Sequence, residues 1–139
     1  MSAYATLTDL YALGLPLVAM GSVSVGTQQR VLDARNDFAD DKFRARYRLP
    51  LVAPFPASLV QNVCMLAAWD ILMIRGYNPS AAADVNIAAR GEMALAWFND
   101  VERQRAHPNV IESGGGDPSY DAPLVVSKAL QGWYPGSDS

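Results

Sequence analysis

Apolar side chains recur at three- and four-residue intervals through four stretches of the chain, and glycine or proline breaks the pattern between them. The first stretch is short: Thr6 precedes it as a hydroxyl cap with Asp9 three residues on, and Gly14 follows as its stop. A loop rich in Gly, Ser and Val leads to Gly26, and Thr27 is placed to cap a second helix over 27–47. Pro50, Pro54 and Pro56 then dictate an extended connector over 49–56, because proline removes a donor and restricts its predecessor. Pro56 suits the first turn of a third helix that runs to Arg75 and stops at Gly76. Asn78 and Pro79 open a fourth, expected to reach Arg105 before His107 and Pro108 end the periodicity.

The third helix is apolar nearly all round, which predicts a central position. The second divides into stripes at about 100° per residue. Val31, Ala34, Phe38 and Ala45 share one apolar band, Leu32, Ala39, Phe43 and Tyr47 share another, and a line of Arg35, Lys42 and Arg46 separates them. One band serves the chain's own core. The other predicts a subunit interface through Leu32, Arg35, Lys42, Phe43, Arg46 and Tyr47, with Asp33, Asp37 and Asp40 on the opposite side to pair with an adjacent copy. The competing reading is a solvated charged face with local pairs such as Asp40 and Arg44. Gly91, inside the fourth helix, either admits close backbone packing or marks a bend.

After Ile111 the character changes. Residues 1–112 read as a helical domain, and 113–139 as a Gly-rich flexible hinge followed by an interaction arm. Tyr120, Leu124, Val125, Val126, Leu130, Trp133 and Tyr134 give the arm more apolar and aromatic content than a solvated tail has. Such an arm can order on a partner, and the same Gly-rich slack also permits it to pack back over its own helices. The fold class expected is therefore all-α: a bundle of about four helices with an extended C-terminal arm.

Length narrows this to one domain, since 139 residues and 15.0 kDa suit a single core. The net charge of −3 gives no bulk attraction to nucleic acid phosphates. Arg44 and Arg46 flank Tyr47 but point about 160° apart on a helix, so they make no coherent DNA patch. The single Cys64 excludes an internal disulfide and reads as a small buried hydrophobe. The start lacks the basic and apolar regions of a secretory signal. The apolar run over 57–74 is interrupted by Gln61, Asn62 and Asp70, which favours a buried helix over a membrane span.

Catalytic chemistry finds no candidates. The sole histidine, His107, abuts Pro108 at a helix end, and no HExxH, CxxC or acidic calcium loop is present. Gly114, Gly115 and Gly116 lack the following Lys and Ser/Thr of a phosphate loop. The acids are scattered along helical surfaces rather than paired in an apolar pocket. No catalytic residue, cofactor or metal is expected.

Several modest motifs follow one another over residues 4 to 110: Tyr4-Ala5-Thr6-Leu7-Thr8-Asp9-Leu10, Asp33-Ala34-Arg35, Arg46-Tyr47-Arg48-Leu49-Pro50-Leu51, a proline-led third helix with Leu59 and Val63-Cys64, and Ala94-Leu95-Ala96-Trp97-Phe98-Asn99-Asp100-Val101. In this order they resemble the Mu-like bacteriophage neck proteins. Two positions depart from the family pattern: Leu66, where an acid often stands, and Gln104, where a glycine commonly ends the last long helix. The resemblance implies a head-to-tail connector subunit, or head-completion protein, of the virion neck, assembled in the host bacterial cytoplasm. It further implies a closed, dodecameric homo-oligomeric ring between the portal and the next neck or tail protein. DNA would pass through that ring without specific binding, and no membrane is involved. The arm anchors from Tyr120 to Tyr134 are the expected portal contact. Competing assignments are a tail-side stopper or terminator and a small helical DNA-binding regulator.

Overall fold

The computed structural model describes residues 3–113. Most of them lie in four α-helices, α1 (Leu7–Leu13), α2 (Val25–Arg44), α3 (Ala57–Arg75) and α4 (Ala82–Glu102), and the fold is an all-α bundle. A 3₁₀ turn at Leu17–Met20 separates α1 from α2. Two short strands, β1 (Leu51–Val52) and β2 (Ile111–Glu112), pair antiparallel with Leu51 opposite Glu112.

The helix ends follow local chemistry. Thr6 and Asp9 form the expected capping box: Asp9 N–H donates to Thr6 Oγ1 at 3.3 Å, and Thr6 N–H donates to Asp9 Oδ2 at 3.0 Å. α2 starts earlier than the expected 27 because Ser24, not Thr27, is the cap; Thr27 N–H donates to Ser24 Oγ at 3.2 Å. α2 also ends at Arg44 rather than 47. α3 matches its expected span, with Pro56 as an extended residue just ahead of it. α4 begins at Ala82, because Asn78 Oδ1 accepts from Ser80 N–H at 3.0 Å and closes a turn instead of capping a helix. It stops at Glu102, short of Arg105, and Gln104 just beyond has a φ of 63°, a left-handed conformation that favours glycine.

α3 is the central helix, packed against α1, α2 and α4. Leu59, Val63, Cys64, Leu66, Ala67, Ile71 and Leu72 are all fully buried. This helix is long and apolar enough to cross a membrane, and half of its apolar window lies inside the bundle. On one flank, Phe43 and Phe98 meet edge to face at 6.3 Å, and Phe38 meets Phe98 at 5.7 Å, joining α2 to α4. Of the two uses open to Gly91, the structure takes close packing: its backbone lies against the Trp69 indole.

The N-terminal segment is fastened to α2. Asn36 Oδ1 accepts from Tyr4 N–H at 3.0 Å and Ala5 N–H at 3.3 Å, and the Tyr4 hydroxyl donates to Asp40. The Tyr4 ring packs on Phe55 at 4.8 Å. The connector over 49–56 is more than a spacer, because β1 within it holds β2. Arg48 N–H donates to Glu112 Oε1 at 2.7 Å and Ser113 N–H donates to Arg48 C=O at 3.2 Å. Residues 111–113 thus belong to the folded unit.

Candidate interaction surface

The second apolar band of α2 faces the chain's own core, which corrects its assignment to a subunit interface. Leu32 and Phe43 are 0% exposed. The basic line is likewise engaged within the chain. Arg35 holds Asp70 of α3 through two hydrogen bonds, at 2.5 and 2.9 Å. Lys42 donates to Asn99 Oδ1 at 2.9 Å and Glu102 Oε1 at 3.2 Å on α4. Arg46 Nε donates to the Glu102 carbonyl at 3.0 Å. The reason is spacing: Arg35 and Lys42 on α2, and Arg46 just beyond its end, face helices that carry acids and a C-terminal carbonyl at matching heights.

Tyr47 is half-buried and meets Phe43 edge to face at 5.4 Å; burial, and then Glu112, push its hydroxyl pKa up. Among the acids, Asp40 is buried and bonded by Tyr4 rather than paired with Arg44, whose partner at 2.8 Å is Asp41. Asp33 is half-buried and accepts from Gln29 Nε2 at 2.8 Å, while Asp37 is exposed. Of the nine residues expected to join copies, Asp37 and Arg46 have exposed positions, and Arg46 is bound to Glu102 within the chain. The arm residues Tyr120, Leu124, Val125, Val126, Leu130, Trp133 and Tyr134 lie outside the described residues.

The surface that the sequence reading passed over is one end of the bundle. Arg75, in the last turn of α3, gathers three elements there. Its Nη1 donates to the Ala19 carbonyl of the 3₁₀ turn at 2.9 Å, and its Nη2 donates to both Asp84 oxygens in the first turn of α4, at 2.7 and 2.6 Å. Asp84 also accepts from Asn78 N–H at 3.0 Å. The Arg75 guanidinium first, and the Asn78 N–H second, hold the Asp84 carboxyl below its ordinary range.

Around this pair, with Asp84 buried and Arg75 half-buried, the end is apolar. Val18 is 91% exposed, Leu17 55%, Ile74 55% and Met73 49%, with Val25 and Val85 also exposed. No charged residue occurs from Leu10 to Gln29 or from Gly76 to Ala83. The charges of Arg75 and Asp84 satisfy each other, so this end offers a partner apolar area with little net field. The signal was in the sequence as that long uncharged run, but periodicity alone cannot tell a loop that seals a core from one that overhangs it.

The rest of the described surface offers no reactive constellation. Cys64 is buried, and burial with a smaller contribution from Asp9 pushes its thiol up to about 12, so it is inert at neutral pH. Among the described residues, no group of three or more His, Cys, Asp or Glu is placed to hold a metal ion. Compared with family models, curated proteins and solved structures, the chain matches none of them.

Proposed function

We propose that this chain is a non-enzymatic structural subunit of a tailed-bacteriophage neck, a head-to-tail adaptor. In this reading copies form a dodecameric ring that joins the portal to a downstream neck or tail protein and surrounds the DNA channel. The observation that carries it is the apolar end of the bundle, where Leu17, Val18, Met73 and Ile74 stand exposed around the mutually paired Arg75 and Asp84. Repeated around a ring, a modest apolar contact becomes a strong attachment, because all copies engage together.

Gln104 adds support to the resemblance. It stands where that family commonly has glycine, and its backbone is in the conformation a glycine would take. The net charge of −3 accords with a channel that lets DNA pass without holding it. Because Leu32 and Phe43 are consumed by the core, ring contacts in this reading use the outer surface of α2, including Ala34 and Asp37, instead of that band. The helical bundle counts against a tail-side stopper or terminator, for which strands are expected. Arg46 is bound to the α4 carboxyl end, which counts against the DNA-binding regulator.

The test is an electron-microscopic image of the native particle neck, joined to a mass measurement in solution with and without portal. A ring of this chain beneath the portal is the expected result. A solitary protein with no affinity for any virion component removes the reading. Truncation after Ser113, which preserves the β1–β2 pairing, should leave the subunit folded while attachment to heads falls.

A further inference from the structure

We propose that the apolar end of the bundle is the docking surface for the chain's own C-terminal segment, with Leu124, Val126, Leu130 and Trp133 seated against Leu17, Val18, Met73 and Ile74 of the same molecule. The inference stands on the free chain and does not rest on the neck reading.

Position and reach argue for it. The described chain ends at Ser113, tied to Arg48 beyond the C-terminal end of α2, where Arg46 also binds the last carbonyl of α4. The exposed apolar residues lie at the other end, around the Arg75–Asp84 pair at the N-terminus of α4. α4 has 21 residues, so the two ends are about 30 Å apart. From residue 114 to residue 123 the chain can extend about 35 Å. The first aliphatic anchor, Leu124, therefore comes at the distance needed to cross the bundle once.

Chemistry argues the same way. From Ala122 to Tyr134 the single charge is Lys128, and the surface offered carries only the mutually satisfied Arg75 and Asp84. An apolar segment with one charge and an apolar end whose charges are already paired lose little hydration of polar groups when they meet. Gly114, Gly115 and Gly116 at the exit allow the reversal of direction that the path requires. Any partner that uses this end must first displace the segment, and any partner that uses the segment uncovers the end.

Lys128 makes the proposal measurable, because trypsin cuts after it in the middle of the anchors. The full-length chain is digested and loss of residues 129–139 is followed by mass spectrometry, beside a Val18→Asp/Ile74→Asp variant. Both substitutions are at exposed positions, and thermal unfolding checks that the bundle is retained. A segment that is docked for most of the time is cut on the order of tenfold more slowly in the parent than in the variant. Independently, a benzophenone side chain placed at position 18 of the otherwise native chain should crosslink within its own molecule, to residues 120–134. Equal cutting at Lys128 in the two proteins overturns the proposal, as does a crosslink that joins two chains or falls elsewhere. Protection of Lys128 in a chain that never forms a neck ring would sink the adaptor reading and leave this one standing.

Discussion

The backbone of Gly91 in α4 lies so close to Trp69 in α3 that a Cβ there would stand 2.6 Å from the indole Cδ2 and Cε3 and 2.7 Å from the Trp69 Cβ. These distances are below any real contact, and the Trp69 Cβ belongs to the helix itself, so rotation of the ring alone does not clear the clash. Gly91→Ala gains about 1 kcal/mol of helix propensity but incurs about 1–3 kcal/mol of overpacking. The expected net is a loss of about 1 kcal/mol in urea unfolding. Trp69→Leu in the same chain should recover part of it, since the colliding ring atoms are gone.

Asn36 holds the N-terminal segment with its side-chain amide, the oxygen accepting from two N–H groups and Nδ2 donating to the Ala5 carbonyl at 3.4 Å. Asn36→Ala strands the buried N–H groups of Tyr4 and Ala5 and should cost about 2 kcal/mol. Hydrogen exchange at those two amides should speed up more than exchange in α3. Equal acceleration everywhere would mean that the segment has no local stability of its own.

The Arg75–Asp84 pair sets an acid dependence. Asp84 has its carboxyl pKa lowered from an ordinary 3.8, chiefly by Arg75 and then by the Asn78 N–H. A depressed folded-state value means that the contribution is complete above 3.8 and disappears as pH falls through the lower, folded value. Asp84→Asn should therefore be less stable than the parent at pH 7, and the gap should close as the pH is taken below about 4. Denaturant midpoints of the two proteins over that range check the sign.

Gln104 takes a left-handed φ of 63° that a side chain disfavours. Gln104→Gly should raise stability by about 0.5–1 kcal/mol, less whatever the amide contributes by accepting from Arg46 Nη1 at 3.0 Å once its oxygen is turned that way. A loss of stability would show that the amide contact outweighs the backbone strain.

Much of the architecture was legible in the chain. α3 could be read as central because apolar residues cover its circumference, and Thr6 with Asp9 announced the start of α1. The errors have separate causes. Ser24 competes with Thr27 as a cap, and both have a hydroxyl before a helical run, so spacing did not choose between them. Asn78 and Pro79 carry the residues of a helix start but spend them on a turn.

The interface on α2 was misplaced for a deeper reason. Two apolar bands predict two partners, but Leu32 and Phe43 of the second band are buried in the chain's own core, Val31 and Phe38 of the first pack partly against it, and Asp70 and Glu102 receive Arg35 and Lys42. A one-dimensional pattern shows that a face is covered without showing by whom. The overhang at Leu17 and Val18 was missed by the converse argument, since short apolar loops look alike whether they close a core or protrude from it.

The ribbon of β1 and β2 has a mechanical consequence. Tension entering from residue 114 reaches Ser113, Glu112 and Ile111 before it reaches any helix, and these residues pair across only two positions. Ile111 is largely outside the core, at 41% exposure. A pull on the tail therefore opens the ribbon and lengthens the tether before the load passes through residues 103–110 to α4.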